Sequence, residues 1–224
     1  MLQFTRHFDG KTDQITVEPR TLIVAGWTGR DEAALNHHID ELAAIGVPRP
    51  SSVPVFYRNA VSNIVQTDRL EVLGPDTSGE VEPVIIALSD GLWVGLGSDH
   101  TDRKAETMGI ALSKQLCGKV LGAALWRFND ISAHWDQIMI RAHAVIGGAR
   151  TLYQEGPLAA MRHPDDLIAR HGKPLAADSI MFCGTLGAKG GIRSASRFEM
   201  ELHDPVLERR LNHAYDVVDL PVIT

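Results

Sequence analysis

Cysteine is scarce in this chain, with only Cys117 and Cys183 among 224 residues. Two cysteines cannot form a disulfide framework, and their separation matches no metal-finger spacing. Both are expected to be reduced, buried thiols. A long apolar run is also missing. The stretch from Val84 to Leu88 falls far below the roughly 20 residues that cross a bilayer as a helix. Arg6, His7 and Asp9 sit where a secretory signal needs an uninterrupted apolar core. These absences predict a cytoplasmic protein with no membrane partner. No basic run is present either: 22 Lys and Arg stand against 28 Asp and Glu, for a net charge of -6. The cationic footprint of a nucleic-acid binder is absent. Internal repeats, low-complexity tracts and linkers are lacking as well.

Hydrophobic residues make up 44% of the chain and charged residues 22%. That is enough to pack one core, and residues 1–224 read as a single domain. Alternating runs predict strands over Leu2–His7 and Gln14–Val17, with a turn at Asp9-Gly10, and the apolar run Thr21–Ala25 predicts a third. Leu35, Ile39 and Leu42 recur at helical spacing, so Asp31–Ile45 is predicted as a helix, stopped by Gly46 and Pro48. Pro48–Pro54 reads as a loop and Val55–Tyr57 as a strand. Glu80–Leu88 and Leu92–Leu96 flank Ser89-Asp90-Gly91 as a hairpin. Asp102–Cys117 is predicted as one helix and Pro164–Arg170 as another. Ile138–Ile146, Ser179–Cys183 and Arg197–Leu202 are predicted as further strands.

Glu80 and Glu82 stand two apart at the start of an apolar strand. In extended chain, residues i and i+2 face the same side, so the two carboxylates can converge. Converging carboxylates repel unless a proton or a cation neutralises them, and hard oxygen donors favour Mg²⁺, Mn²⁺ or Ca²⁺. The alternative is an edge strand with two solvated acids. Asp99 follows a second apolar strand and leads into a helix, where it can supply a third carboxylate or act as the helix N-cap. Arg103, four residues on, can grip a substrate carboxylate or pair on the surface. His38 and Glu41 are three apart on the first predicted helix. They read either as a pair in which the carboxylate orients the imidazole for general-base work or as a solvated ion pair.

Taken together, Glu-x-Glu before an apolar strand and Asp99-x-Thr101-x-Arg103 after it resemble the metal site of the fumarylacetoacetate hydrolase superfamily, in its catalytic C-terminal domain type. Other segments resemble the family in the same order: Pro54 to Arg58, Gly118-Lys119-Val120 and Asp178 to Thr185. Several positions depart from the family pattern, with Arg58 for a lysine, Ala177 for a glycine, Cys183 for a threonine, and a shortened segment between Glu82 and Asp99. The chain thus reads as a divergent member. The resemblance implies a mostly β, α+β fold, a rolled or barrel-like sheet with peripheral helices, and a homodimer. It implies Glu80, Glu82 and Asp99 as metal ligands, His38, Glu41 and Lys119 as catalytic residues, and Arg58, Arg103 and Thr185 as substrate-binding residues. The implied activity is metal-dependent hydrolysis of a carbon-carbon bond in a small 2-oxo acid. Decarboxylation, hydration or dehydration, and isomerisation on the same site are alternatives, as is a scaffold that has lost catalysis.

Overall fold

The computed structural model describes residues 1–44 and 49–223; the side chains of His38 and of residues 41–44 lie outside the description. In chain order come β1 (Leu2–Phe8), β2 (Lys11–Val17), β3 (Thr21–Gly26), α1 (Glu32–Ala44), β4 (Val55–Asn59), β5 (Ile64–Val65) and β6 (Arg69–Leu73). The middle of the chain holds β7 (Thr77–Ser78), β8 (Val81–Leu88), β9 (Gly91–Asp99), β10 (Thr101–Asp102), α2 (Arg103–Glu106), α3 (Ile110–Leu116), β11 (Lys119–Leu121) and β12 (Ala124–Arg127). The last part holds α4 (Phe128–Ile131), β13 (Met139–Ile146), β14 (Ala149–Pro157), α5 (Pro164–Arg170), β15 (Ser179–Phe182), β16 (Arg197–Asp204) and β17 (Arg209–Leu220).

Two sheets share one core. The larger runs β2-β1-β12-β9-β8-β15-β3-β4, with β11 joined to β9 and β5 to β11, and the second runs β14-β13-β16-β17-β6. Ile85, Val94, Leu96 and Met181 of the first sheet meet Ile140, Phe198, Met200 and Tyr215 of the second. On the other face of the first sheet, Val84, Ile86 and Phe182 pack with Leu2, Phe4 and Leu22. Strand β8 is therefore covered on both sides, which is why it reads as an unbroken apolar run rather than an alternating one. The expected α+β class with peripheral helices is what the chain adopts. Among the described residues no helix is long and apolar enough to cross a membrane.

One predicted element is corrected. The helix expected over Asp102–Cys117 is two helices, α2 and α3, broken at Thr107-Met108-Gly109. Gly109 takes an extended backbone before α3, and glycine is the poorest helix former after proline. The break re-aims α3, and with it Lys114. Strands β6, β12, β14 and β17 lay outside the sequence reading.

Candidate metal centre

Antiparallel pairing of β8 with β9 sets Val81 opposite Ser98 and Glu82 opposite Gly97, and the Asp99 amide donates to the Glu80 carbonyl at 3.0 Å. The hairpin thus brings its two open strand ends together, with Glu80 and Glu82 on one and Asp99 on the other. One carboxylate oxygen from each lies within 4.8 Å of the others. Glu82 is 1% exposed and Asp99 0%. Strand β8 lies between β9 and β15, so these are not the solvated acids of an edge strand. Nor is Asp99 a helix cap. Asp102 caps α2, its Oδ1 accepting from the Ala105 amide at 2.8 Å.

Three cations surround the carboxylates. Lys119 Nζ lies 2.9 Å from Asp99 Oδ1 and donates to the His100 carbonyl at 2.6 Å. The Lys114 ammonium pairs with Asp99 Oδ2 and lies 3.5 Å from Glu80 Oε2. Arg103 donates through Nη2 to Glu80 at 2.8 Å, through Nη1 to Glu106, and through Nε to the Ser78 hydroxyl at 2.7 Å. Burial acts to raise the Asp99 carboxyl, but the two ammonium groups overcome it and hold Asp99 below the ordinary carboxylate range. Glu82 differs. Among the described residues it has no ion-pair partner, and its Oε2 accepts only the Gly184 amide, at 2.6 Å. Burial first, then the Asp99 charge, pushes its carboxyl well above the usual range. Three convergent oxygen donors, one of them in no ion pair among the described residues, are the donor set a hard divalent cation takes.

Behind the carboxylates lies a buried hydrogen-bond chain. His100 Nδ1 is 2.9 Å from the Tyr215 hydroxyl and Nε2 is 2.9 Å from the Thr77 hydroxyl; Tyr215 in turn donates to Ser98 Oγ at 2.8 Å. Ser98 Oγ accepts the Glu80 amide at 3.2 Å. Burial, helped by the charges of Lys119 and Arg103, pushes the His100 imidazole down to about 3, so it stays neutral and relays hydrogen bonds. The chain ties β17 of the second sheet to the Glu80 backbone. Tyr215→Phe should strand a buried His100 nitrogen and cost about 1–3 kcal/mol in chemical denaturation. An unchanged unfolding midpoint would show that the chain carries no stability.

Glu80 and Glu82 line a cavity of about 440 Å³, within the range of small-molecule sites, while Asp99 is fully buried and not among its lining residues. Arg103 and Thr185 line the cavity as well, and Lys114 and Gln154 do so without having been anticipated. Thr185 is already engaged: it donates to the Val81 carbonyl at 2.7 Å and accepts from Gln154 Nε2 at 2.8 Å. Lys119 is fully buried beneath Asp99 rather than in the cavity wall. Arg58 is exposed on edge strand β4 and is not among the lining residues; its neighbour Tyr57 is. Leu35 of α1 reaches the cavity, and His38 and Glu41 follow it on the same helix, their side chains outside the described residues. The signal for Lys114 was its place one helical segment after Asp99, obscured by the break at Gly109. Gln154 comes from β14 of the second sheet, and no local pattern marks it. His134 has a structural part, its Nε2 lying 3.0 Å from buried Asp204 Oδ1. Cys117 and Cys183 are buried free thiols.

Comparison with known proteins bears on this arrangement. No curated protein matches the chain in sequence. Solved structures match its fold closely. A candidate fumarylacetoacetate isomerase/hydrolase from Oleispira antarctica superposes with a TM-score of 0.68 at 16% identity, covering 97% of this chain and 100% of that one. The yeast protein ynq8, a fumarylacetoacetate hydrolase family protein, gives 0.65 at 19% identity over 92% and 95%. A 2-keto-3-deoxy-D-arabinonate dehydratase complexed with magnesium and 2,5-dioxopentanoate gives 0.64 at 14% over 91% and 74%. At these identities the likeness establishes the fold. The family described as "Protein of unknown function (DUF2848)" matches residues 25–215. The chain therefore belongs to the DUF2848 family and has the fold of fumarylacetoacetate hydrolase family proteins.

Proposed function

We propose that this protein is a divalent-metal-dependent enzyme acting on small 2-oxo acids, and that its reaction is hydrolytic cleavage of a carbon-carbon bond in a 2,4-dioxo acid. The observation that carries the proposal is the convergence of Glu80, Glu82 and buried Asp99, the first two lining a cavity, with Glu82 in no ion pair among the described residues. Glu80, Glu82 and Asp99 would hold Mg²⁺ or Mn²⁺, with Ca²⁺ as a further hard cation of the same preference. When bound, that ion supplies electrostatic stabilisation of negative charge developing at the 2-oxo carboxylate end of the substrate.

The protein's own residues then have distinct parts. Lys119 and Arg103 are positioning residues, since one holds Asp99 and the other Glu80. Lys114, which lines the cavity beside Arg103, is the cation we assign to a substrate carboxylate. The general-base role is assigned to His38 with Glu41, three apart on α1: a proton leaves water for the imidazole as the water oxygen bonds to C4. The C3–C4 bond breaks, its electron pair stays on C3, and the imidazolium returns the proton there. The products are a carboxylic acid from the acyl part and a shorter 2-oxo acid, so the balance consumes one water.

A dehydratase acting on a sugar-derived 2-oxo acid is the second reading, favoured by the shared fold with the arabinonate dehydratase. Metal-loaded protein incubated with 2,4-dioxopentanoate in ¹⁸O-labelled water separates the two. Hydrolysis yields pyruvate and acetate, with the label in the acetate carboxylate. Turnover of a 3-deoxy sugar-derived 2-oxo acid alone, with loss of water, would replace the hydrolase assignment by the dehydratase one.

A further inference from the structure

Edge strand β14 interrupts its own alternation beside the cavity. Its pairing with β13 steps from Ala142 opposite Gln154 to His143 opposite Leu152, so Tyr153 is an extra residue, a β-bulge. In regular extended chain Tyr153 and Gln154 would face opposite sides of the sheet. With the bulge both are 1% exposed, and both line the cavity. Bulges re-aim side chains and are over-represented next to functional sites.

The two bulge residues hold one glycine-rich segment. Residues 184–193 include Gly184, Gly187, Gly190 and Gly191 and form neither helix nor strand. The Gln154 amide nitrogen donates to the Thr185 hydroxyl at 2.8 Å and to the Leu186 carbonyl. The Tyr153 carbonyl accepts from the Lys189 amide at 2.7 Å, and the Tyr153 hydroxyl accepts from the Arg193 amide at 3.1 Å. Gly184, at the head of the segment, donates the 2.6 Å bond to Glu82. Gln154 also reaches the carboxylate strand itself, where its Oε1 accepts the amide of Val81, the residue between Glu80 and Glu82, at 3.0 Å. One buried side-chain amide therefore joins the backbone that carries Glu82 to the segment whose amide fixes its carboxylate.

We propose that the Tyr153-Gln154 bulge sets the position of Glu82, with Gln154 as a positioning residue for the carboxylate site. The proposal rests on the metal reading of that site and adds how its third carboxylate is held. Asp99 and Glu80 are oriented by charge, through Lys119, Lys114 and Arg103. Glu82 is in no ion pair among the described residues and depends on the Gly184 amide. That amide keeps its place because Gln154 ties the next two residues, Thr185 and Leu186, to Val81.

The test compares the wild type with Gln154→Met, which removes donor and acceptor at similar length, and with Gln154→Glu, which keeps an acceptor for Val81 but, when ionised, donates nothing to Thr185 or Leu186. Leu202→Val trims a fully buried side chain of the same sheet that does not line the cavity, and so controls for general loosening. Two quantities are measured: Mn²⁺ affinity by calorimetry, with the paramagnetic resonance spectrum of the bound ion, and hydrogen exchange of the Gly184 amide in metal-free protein. Both Gln154 variants should lose about 10–100-fold in Mn²⁺ affinity, with an altered spectrum. Exchange at Gly184 should quicken by at least about tenfold. Leu202→Val should stay close to the wild type in each measurement. Wild-type exchange at Gly184 in the Gln154 variants overturns the proposal whatever their affinity. Faster exchange with wild-type affinity, or an equal loss of affinity in Leu202→Val, overturns it too, because Gln154 would then serve stability alone. If the wild type itself takes up no Mn²⁺, the metal reading falls separately, and exchange at Gly184 decides whether the bulge positions Glu82.

Discussion

Glu82→Gln is expected to raise the melting temperature of the metal-stripped protein and to abolish the further rise that Mg²⁺ or Mn²⁺ gives the wild type. Glu82 is buried, close to Asp99, and without an ion-pair partner among the described residues. Burial and the Asp99 charge raise its carboxyl, so the folded chain holds this proton more tightly than the unfolded chain does. The sign follows: the metal-free fold loses stability as pH rises above the ordinary glutamate value, and a bound cation restores it. Glutamine removes the charge while its amide oxygen can still accept from Gly184. The gain without metal should be on the order of 1–3 kcal/mol. In a chain of this size that is about 2–4 °C per kcal/mol. With one of three ligands gone, divalent-ion affinity should fall at least about 100-fold, beyond what loss of an outer-shell partner produces. Thermal unfolding with and without chelator checks both halves. A variant whose melting temperature still rises with Mg²⁺ as in the wild type would remove Glu82 from the ligand set.

Gly184→Ala should be among the most damaging single substitutions in the chain. Gly184 has φ +96°, and a Cβ there would lie 1.7 Å from Thr28 Oγ1 and 2.8 Å from Thr28 Cβ. Its amide is also the donor that fixes Glu82. The backbone must therefore shift, and the shift carries Glu82 with it. A cost of at least about 3 kcal/mol is expected, together with loss of metal-dependent stabilisation. Gly148→Ala separates the two causes, because Gly148 also has a positive φ, +82°, but a Cβ added there would meet nothing within 4 Å. That variant should show strain alone, about 1 kcal/mol. Equal unfolding midpoints for the two variants would contradict the close-packing argument at Gly184.

The carboxylate site was legible because its geometry is local. Two-residue periodicity put Glu80 and Glu82 on one side of a strand, and a hairpin needs only a turn signal to bring Asp99 beside them. The cations were less legible. Lys119 follows Asp99 on a paired strand and does reach it, but from beneath; Lys114 fills the cavity wall because Gly109 interrupts the helix that the apolar spacing predicts. Arg58 illustrates strand alternation working against a motif: Tyr57, one residue earlier, is the neighbour that lines the cavity. Gln154 and Tyr215 arrive from the second sheet, whose strands β14 and β17 carry weak alternation and were not anticipated. What depends on packing one sheet against another is written in long-range pairing, which periodicity within a segment does not encode.

The central claim is that Glu80, Glu82 and Asp99 form a working divalent-metal site. Its most direct test is titration of the metal-stripped wild-type protein with Mn²⁺, followed by electron paramagnetic resonance and calorimetry, and then with oxalate. The account predicts one tightly bound ion per chain and oxalate binding that depends on it. Failure to bind Mn²⁺ or Mg²⁺ at millimolar concentration, or oxalate binding that is unchanged by chelator, would contradict it.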